Sequence, residues 1–302
     1  MDATHQSRAP DENGSENDAD ISRRDFVALS VAAGLAGAAG SATAAGLPVT
    51  VTEVIVKTPD GLCDAAFIHP QSGSHAGVLL WPDAFGLRPA MREMGKRLAA
   101  EGYAVLVPNP FYRIAKAPVV IDASTFDFNN PEERAKLGPW MGSIGAAGAA
   151  ETDAIAHVAF LDAQPQVDKA RKIGTQGYCM GGPLVVRTAA AVPDRIGAGA
   201  SFHGGGLVTD KPDSPHLLAP KIKARMYFGV ASNDDQKQPE AKLKLRDAFA
   251  AANVAAVVEV YPAKHGWCVP DMPKDDGVSL YSKPEAEIAW GKLLVLYKTA
   301  LA

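Results

Sequence analysis

The chain has 302 residues, of which 47% are hydrophobic and 21% are charged, and its formal net charge is −4. This balance is typical of a globular protein, and the scattered Lys and Arg residues argue against nucleic-acid binding. Three cysteines are too few for a disulfide scaffold. An oxidising compartment would allow Cys63 and Cys268 to pair and would leave Cys179 free.

The amino terminus has the composition of a targeting segment. Residues 1–20 are polar and acidic, Arg23 and Arg24 form a basic pair, and residues 28–40 are apolar but diluted with Gly and Ala. Small residues at 41–45 fit a cleavage site. The segment resembles a twin-arginine signal peptide, which engages the twin-arginine export machinery and implies a periplasmic or secreted protein. The alternative interpretation is a basic pair before a low-complexity linker.

We therefore separate residues 1–45 from a single α/β domain predicted at 46–302. Elsewhere in the chain no apolar run is long enough to cross a bilayer, so no stable membrane insertion is expected.

The first predicted elements form an antiparallel hairpin. Residues 49–57 alternate between apolar and polar side chains, Pro59-Asp60-Gly61 is a turn signal, and residues 62–69 form the returning strand. Uninterrupted apolar runs then predict strands buried on both faces at residues 76–81 and 103–107, with a helix at residues 91–100 between them.

The rest of the chain alternates between helices and strands after an irregular Pro- and Asn-rich segment. The predicted helices lie at residues 145–163, 183–191, 240–253 and 284–301. The predicted strands lie at residues 171–176, 197–202, 224–230 and 257–261. Such alternation predicts a mainly parallel, doubly wound sheet with right-handed crossovers.

The most informative motif is Gly177-Tyr178-Cys179-Met180-Gly181-Gly182, between a predicted strand and a predicted helix. Gly-x-nucleophile-x-Gly at this position indicates a nucleophile elbow, in which the turn is too sharp for side chains at the flanking glycines. The nucleophile here is Cys179. The alternative is an ordinary glycine-rich turn with a small buried cysteine.

A cysteine nucleophile needs a base and a group that orients the base. The pair Asp234-Asp235 follows one predicted strand, and His265 follows the last one, so both lie at the same sheet edge as Cys179. The order nucleophile, acid, histidine is that of the α/β hydrolases. One aspartate can cap the following helix while the other orients His265. His203 also follows a strand, where a core or loop histidine is the favoured interpretation and a pocket-lining one the alternative.

With these motifs the chain resembles the dienelactone hydrolase family of α/β hydrolases over roughly residues 50 to 300. The resemblance implies a Cys-Asp-His triad with Cys179 as nucleophile and His265 as base. In the family the acid lies four residues before a proline, so Pro239 selects Asp235, with Asp234 as the fallback. The loop at residues 81–86 matches a family loop that carries a glutamate in contact with the resting thiol.

Further site residues follow from the same resemblance. Asp83 stands in place of that family glutamate. Residues 108–113 match the family loop that carries a substrate-facing arginine, so Arg113 is expected to bind the substrate, although a surface arginine is the alternative. Tyr178 and Trp267, within the two catalytic motifs, are further candidates to contact the substrate. The second substrate-binding arginine of the family has no counterpart in residues 266–270, so carboxylate recognition is expected to be weaker.

These residues predict hydrolysis of a carboxylic ester or lactone through a thioester acyl-enzyme, without a cofactor or metal. The backbone N–H groups of Met180 and Ala84 are expected to form the oxyanion hole. A Zn²⁺ site formed by Cys179, His203, His265 and Cys268 is disfavoured, because the close pair His265 and Cys268 has no matching pair elsewhere. The other alternative is an exported binding protein that retains the hydrolase fold without turnover.

Overall fold

A mixed sheet of eight strands forms the centre of the molecule. The computed structural model describes residues 46–275 and 277–302, so the predicted signal segment lies outside the described residues. The strands are β1 (Val49–Thr58), β2 (Gly61–Pro70), β3 (Ala76–Trp81), β4 (Tyr103–Pro108), β5 (Ile173–Tyr178), β6 (Ile196–Phe202), β7 (Arg225–Ala231) and β8 (Ala256–Tyr261). Their order across the sheet is β1-β2-β4-β3-β5-β6-β7-β8.

Strands β1 and β2 pair antiparallel, as do β2 and β4, and all other neighbours are parallel. The hairpin turn needs Gly61, whose φ of 138° is unfavourable for residues with a Cβ. This topology confirms the predicted α/β-hydrolase architecture with an antiparallel hairpin at its start.

Seven helices lie along the chain that the structure describes. They are α1 (Pro89–Ala100), α2 (Pro131–Gly145), α3 (Ala149–Ala163), α4 (Gly181–Ala191), α5 (Ser232–Lys237), α6 (Ala241–Ala251) and α7 (Lys283–Ala300). A short hairpin of β9 (Lys274–Asp275) and β10 (Val278–Ser279) precedes α7. None of the helices in the described ranges has the length and apolarity needed to span a bilayer.

The uninterrupted apolar runs of the central strands fill two cores, one on each face of the sheet. In β4, Val105 packs with the α1 and α7 side chains, whereas Leu106 packs with those of α3, α4 and α6. Successive residues of a strand point to opposite faces, which is why every residue of β3 and β4 is buried.

The two cores also separate the cysteines. Cys63 belongs to the core under α3 and α4, and Cys268 belongs to the core under α1 and α7. All three cysteines are free thiols. The sheet lies between Cys63 and Cys268, so a disulfide between them does not form.

The irregular segment predicted before residue 145 contains a helix, α2, that the sequence interpretation missed. The Asn130 side chain accepts the Glu132 N–H at 2.9 Å, and Pro131 occupies the first turn. Asn followed by Pro therefore starts a helix here. The predicted helix at residues 145–163 begins only at Ala149, because Gly148 has a φ of 78°. The short helix α5 was also not predicted.

The strand register brings five loops together at one edge of the sheet. Trp81 pairs with Gly177, Tyr178 with Phe202, Phe202 with Gly229, and Ala231 with Tyr261. The residues that follow these strands therefore emerge side by side beyond the carboxyl ends of the sheet, where α/β folds bind ligands.

Candidate active site

The turn between β5 and α4 holds Cys179 in a strained conformation. Its φ is 52°, a region that residues with a side chain rarely occupy. A Cβ on Gly177 would lie 2.3 Å from the Gly181 carbonyl oxygen, and a Cβ on Gly181 would lie 2.6 Å from the Trp81 carbonyl oxygen. The backbone is therefore too close on both sides for any residue but glycine, and Cys179 is held at the tip of the turn.

His265 lies between Cys179 and an aspartate. Its Nδ1 is 2.6 Å from Asp234 Oδ2, and the Cys179 side chain is close enough to raise the pKa of the imidazole. The His265 backbone N–H donates to Asn233 Oδ1 at 2.8 Å, which fixes the histidine loop on the loop that carries Asp234. The three side chains thus form a linear chain of contacts.

The aspartate in this chain is Asp234, and the prediction of Asp235 is wrong on this point. Asp235 accepts a hydrogen bond from Lys242 Nζ at 2.7 Å, and its other carboxylate oxygen is buried without a partner. Both aspartates begin α5, and successive helical residues point in directions about 100° apart, so only one can face His265. The spacing to Pro239 indicated Asp235, whereas the aspartate that faces His265 is Asp234.

The charges around His265 favour its protonated form. Burial lowers the pKa of the imidazole, but the negative charge of Cys179 and the hydrogen bond and charge of Asp234 outweigh it and raise the pKa from 6.5 to about 10. Because the folded value is the higher one, this arrangement stabilises the fold fully below pH 6.5. The stabilisation is lost as the pH rises through about 10.

The two residues predicted to form the oxyanion hole lie in segments that pack against each other beside Cys179. Met180 directly follows Cys179 at the start of α4, and Ala84 lies in the loop after β3. Within residues 46–275 and 277–302, no acceptor is found for either backbone N–H. The approach of Gly181 to the backbone of Trp81 and Pro82 keeps these two segments adjacent.

His203 is a site residue that the sequence interpretation placed in the core or a loop. Its imidazole is fully buried, and its Nδ1 accepts the Cys179 backbone N–H at 3.2 Å. The ring lies edge-on to the His265 ring with 5.0 Å between centroids. His203 has a φ of 41°, so two consecutive loops of the site are strained. A histidine just after a parallel strand was the only sequence signal.

Asp83 is part of a buried ionic network and does not face the site. Arg88, at 0% exposure, donates to both oxygens of Asp83 at 2.7 and 2.9 Å and to both oxygens of Asp271 at 2.7 Å. Burial lowers the pKa of Arg88, but the charge of Asp83 and the bonds to both carboxylates outweigh it, so the pKa is raised. Asp271 also accepts the Ala123 N–H at 3.3 Å. The expected contact between Asp83 and the substrate is replaced by this network.

Arg113 is likewise held by carboxylates. It donates to Asp153, which is fully buried on α3, at 2.7 and 2.8 Å, and to Asp60 in the β1–β2 turn at 2.6 Å. These bonds attach the hairpin to α3. The structure thus gives Arg113 a structural role in place of the predicted substrate contact.

The two aromatic candidates are part of the core. Tyr178 stacks on Phe202, and its hydroxyl accepts a hydrogen bond from Gln176 at 2.8 Å. Trp267 is fully buried and stacks on Tyr261. Tyr178 also lines a cavity with Phe202 and Trp290, and the predicted substrate contacts of Tyr178 and Trp267 stay predictions.

Of the four side chains considered for a zinc site, Cys179, His203 and His265 lie close together, and Cys268 is buried in the core under α1 and α7. In the part of the chain that the structure describes, no group of three or more His, Cys, Asp or Glu side chains has an arrangement that could hold a metal ion.

The fold and the site together define an α/β hydrolase with a cysteine at the nucleophile elbow. Residues 63–301 match the dienelactone hydrolase family. The chain belongs to this family, and the protein is a hydrolase of carboxylic esters or lactones.

Individual relatives are distant. A carboxymethylenebutenolidase from Pseudomonas sp. strain P51 is 29% identical over 205 residues, which are 68% of this chain and 79% of the relative. The crystal structure of a dienelactone hydrolase-like promiscuous phosphotriesterase, P91, from metagenomic libraries has a TM-score of 0.67 at 23% identity and covers 84% of this chain and 99% of its own. A dienelactone hydrolase structure from Anabaena variabilis has a TM-score of 0.57 at 17% identity, with coverages of 84% and 99%. At these identities the two structures support the fold alone.

Replacing Asp234 with asparagine should separate the two adjacent aspartates. Without the carboxylate charge, the pKa of His265 should fall from about 10, and kcat for ester hydrolysis should fall by about 10²- to 10⁴-fold. An NMR titration of the imidazole and steady-state kinetics measure the two effects. The matched control, Asp235→Asn, should leave both quantities unchanged. The reverse pattern would assign the acid to Asp235.

Replacing Asp83 with asparagine should destabilise the protein by about 3–5 kcal/mol, because the buried Arg88 guanidinium loses one of its two anions. Urea unfolding monitored by circular dichroism measures the change. Glu53→Gln, which breaks an exposed ion pair with Arg92, should cost less than about 1 kcal/mol. Equal losses in the free energy of unfolding for the two variants would contradict a stabilising role of the Arg88 network.

Proposed function

We propose that hydrolysis proceeds through a covalent thioester on Cys179, with His265 as general acid and base and Asp234 as the group that orients the imidazole. The observation that carries this proposal is the contact chain from the strained Cys179 through His265 to Asp234, with 2.6 Å between Asp234 Oδ2 and His265 Nδ1. Thiolate, imidazolium and carboxylate are the groups that such a reaction needs, in the required order.

In the acylation step, the Cys179 sulfur forms a bond to the carbonyl carbon while the C=O π electrons move to the oxygen. The backbone N–H groups of Met180 and Ala84 stabilise that oxyanion, a contribution of about 3–4 kcal/mol per donor in comparable enzymes. When the C–O bond breaks, the imidazolium of His265 gives its proton to the leaving alkoxide. The products are the alcohol, or the opened lactone, and the thioester.

In the deacylation step, neutral His265 takes a proton from water as the water oxygen attacks the thioester carbon. The tetrahedral intermediate expels the Cys179 thiolate and leaves a carboxylic acid. Asp234 holds the Nδ1–H tautomer throughout, so that Nε2 remains available for both transfers. The residues return to the initial thiolate–imidazolium pair.

The substrate that fits this site does not depend on a carboxylate. Arg113 is held by Asp60 and Asp153, and residues 266–270 contain no arginine. The name of the Pseudomonas relative, carboxymethylenebutenolidase, makes a lactone one candidate substrate, and the engaged Arg113 favours uncharged esters and lactones.

We also propose that the protein is exported to the periplasm or secreted by the twin-arginine machinery. The support is the sequence alone: Arg23 and Arg24 precede the weakly apolar residues 28–40 and the small residues at 41–45.

A chromogenic ester such as p-nitrophenyl acetate should give a transient acetyl group on Cys179. Mass spectrometry of acid-quenched enzyme should locate the added acetyl on the peptide that contains Cys179. Cys179→Ala should abolish turnover, and Cys179→Ser should lose most of it, because an alcohol needs stronger base assistance than a thiol. Full turnover by Cys179→Ala would refute the mechanism. A wild-type protein that binds such esters without turnover would support the binding-protein alternative.

Export is tested by replacing Arg23 and Arg24 with lysine. The doubly substituted precursor should remain in the cytoplasm, because the twin-arginine pathway reads the arginine pair. Cell fractionation and immunoblotting measure the distribution. Unchanged export of this variant would contradict the twin-arginine route.

A further inference from the structure

A cleft of about 240 Å³ opens beside the nucleophile elbow. One wall is α4, the second is the end of α2 with the start of α3, and the third is the loop that follows β6. Met180, which directly follows Cys179, lines it, so the cleft adjoins the nucleophile turn. An apolar cavity of about 150 Å³ is known to accept benzene, so this cleft has room for an aryl or branched alkyl group.

The cleft follows one face of α4 away from the reacting carbon. Met180, Leu184 and Arg187 line it at positions i, i+4 and i+7, which share a helix face. With a rise of about 1.5 Å per residue, the distance from the first to the last is about 10 Å. Met141 and Ile144 of α2 line the same cleft, so its walls include apolar side chains from α2 and α4 beside the polar ones.

The outer end of the cleft is charged but internally balanced. Arg187 donates to Glu151 at 2.7 Å and to the Asp213 carboxylate at 3.1 Å. Both of these anions line the same end, together with Lys211. A substrate carboxylate would have to compete with Glu151 and Asp213 for Arg187, so the cleft favours an uncharged group.

Gly205 lies between the elbow and the cleft. Its N–H donates to the Cys179 carbonyl oxygen at 3.3 Å, and it lines the cleft beside Gly206. A Cβ at Gly205 would find no atom within 4 Å, and its φ is not in the left-handed region. The backbone therefore does not require glycine here. Gly205 lines this cleft and also a second pocket with Leu207 and Asp234, so a side chain there would take up free space beside the nucleophile turn.

We propose that this cleft binds the uncharged, apolar group attached to the ester function, and that Gly205 determines how large that group can be. The inference rests on the hydrolase mechanism proposed above. The group belongs either to the acyl side or to the alcohol side of the ester. Both share the same chemistry, a neutral alkyl or aryl group of up to about ten ångströms along α4.

The test compares wild-type protein with Gly205→Val on two ester series. One varies the acyl group of p-nitrophenyl esters from acetate to hexanoate and benzoate, and the other varies the alcohol of acetate esters from methyl to benzyl. Wild-type kcat/KM should rise with size in one series, which identifies the side that enters the cleft. Gly205→Val should lower the ratio of kcat/KM for the large members to kcat/KM for acetate by at least about tenfold, since a methylene in a pocket changes discrimination by about 10- to 200-fold.

Gly291→Val is the matched control, because a Cβ at Gly291 on α7 also meets no atom within 4 Å and Gly291 does not line the cleft. It should not change the size dependence. Equal thermal midpoints for the two variants would show that both remain folded.

A second probe does not depend on hydrolysis. The Cys179 thiolate adds to the C=C bond of a maleimide, and wild-type protein should react faster with N-benzylmaleimide than with N-ethylmaleimide, a preference that Gly205→Val removes. Wild-type protein could turn over no ester and still prefer N-benzylmaleimide, with Gly205→Val losing that preference. This result would refute the hydrolase mechanism but support the proposal that the cleft binds an apolar group. The proposal for the cleft is refuted if the wild-type rates do not depend on the size of the group. It is also refuted if Gly205→Val leaves that dependence unchanged.

Discussion

The candidate site depends on the close approach of three backbone segments around the nucleophile turn. Gly181 lies against the end of β3, where a Cβ would be 2.6 Å from the Trp81 carbonyl oxygen. Gly182 lies against the loop after β6, where a Cβ would be 2.5 Å from the Gly204 Cα. Only missing side chains permit such contacts. They bring together the loop after β3, the strained cysteine and the loop of His203 and Gly205, so one packing constraint positions the ends of three strands.

Charged residues near the site mostly support loops. The buried Arg88 binds Asp83 after β3 and Asp271 after the histidine loop, and Asp271 also holds the Ala123 N–H. Burying a guanidinium costs several kcal/mol, which two carboxylates and at least four short hydrogen bonds offset. This ionic network fixes the loop after β3 relative to the loop of His265. Arg113 plays the same part for the β1–β2 hairpin, so a cation near the site need not bind substrate.

The sequence predicted those features that depend on local pattern. Uninterrupted apolar runs identified the strands because such strands are buried on both faces, and Gly177 and Gly181 identified the elbow because its turn excludes a Cβ. Features that depend on a distant partner were missed or misassigned. Whether Asp234 or Asp235 reaches His265 depends on how α5 is rotated, and the role of Arg113 depends on Asp153, forty residues along the chain. Resemblance to a family predicts where a residue lies in the fold, but it does not predict which side chain that residue contacts.

His203 and His265 lie side by side, yet the pKa of His265 is raised and the pKa of His203 is lowered. Burial, followed by the charge of His265, lowers the pKa of His203 well below its usual value. Its Nδ1 accepts the Cys179 N–H, so the proton of the neutral ring is on Nε2. His203 thus packs against the His265 ring without adding a second positive charge. Burial disfavours the imidazolium of His265, but the charge of Cys179 and the hydrogen bond and charge of Asp234 outweigh it and raise the pKa. A neutral second histidine is therefore compatible with one proton being held between two anions.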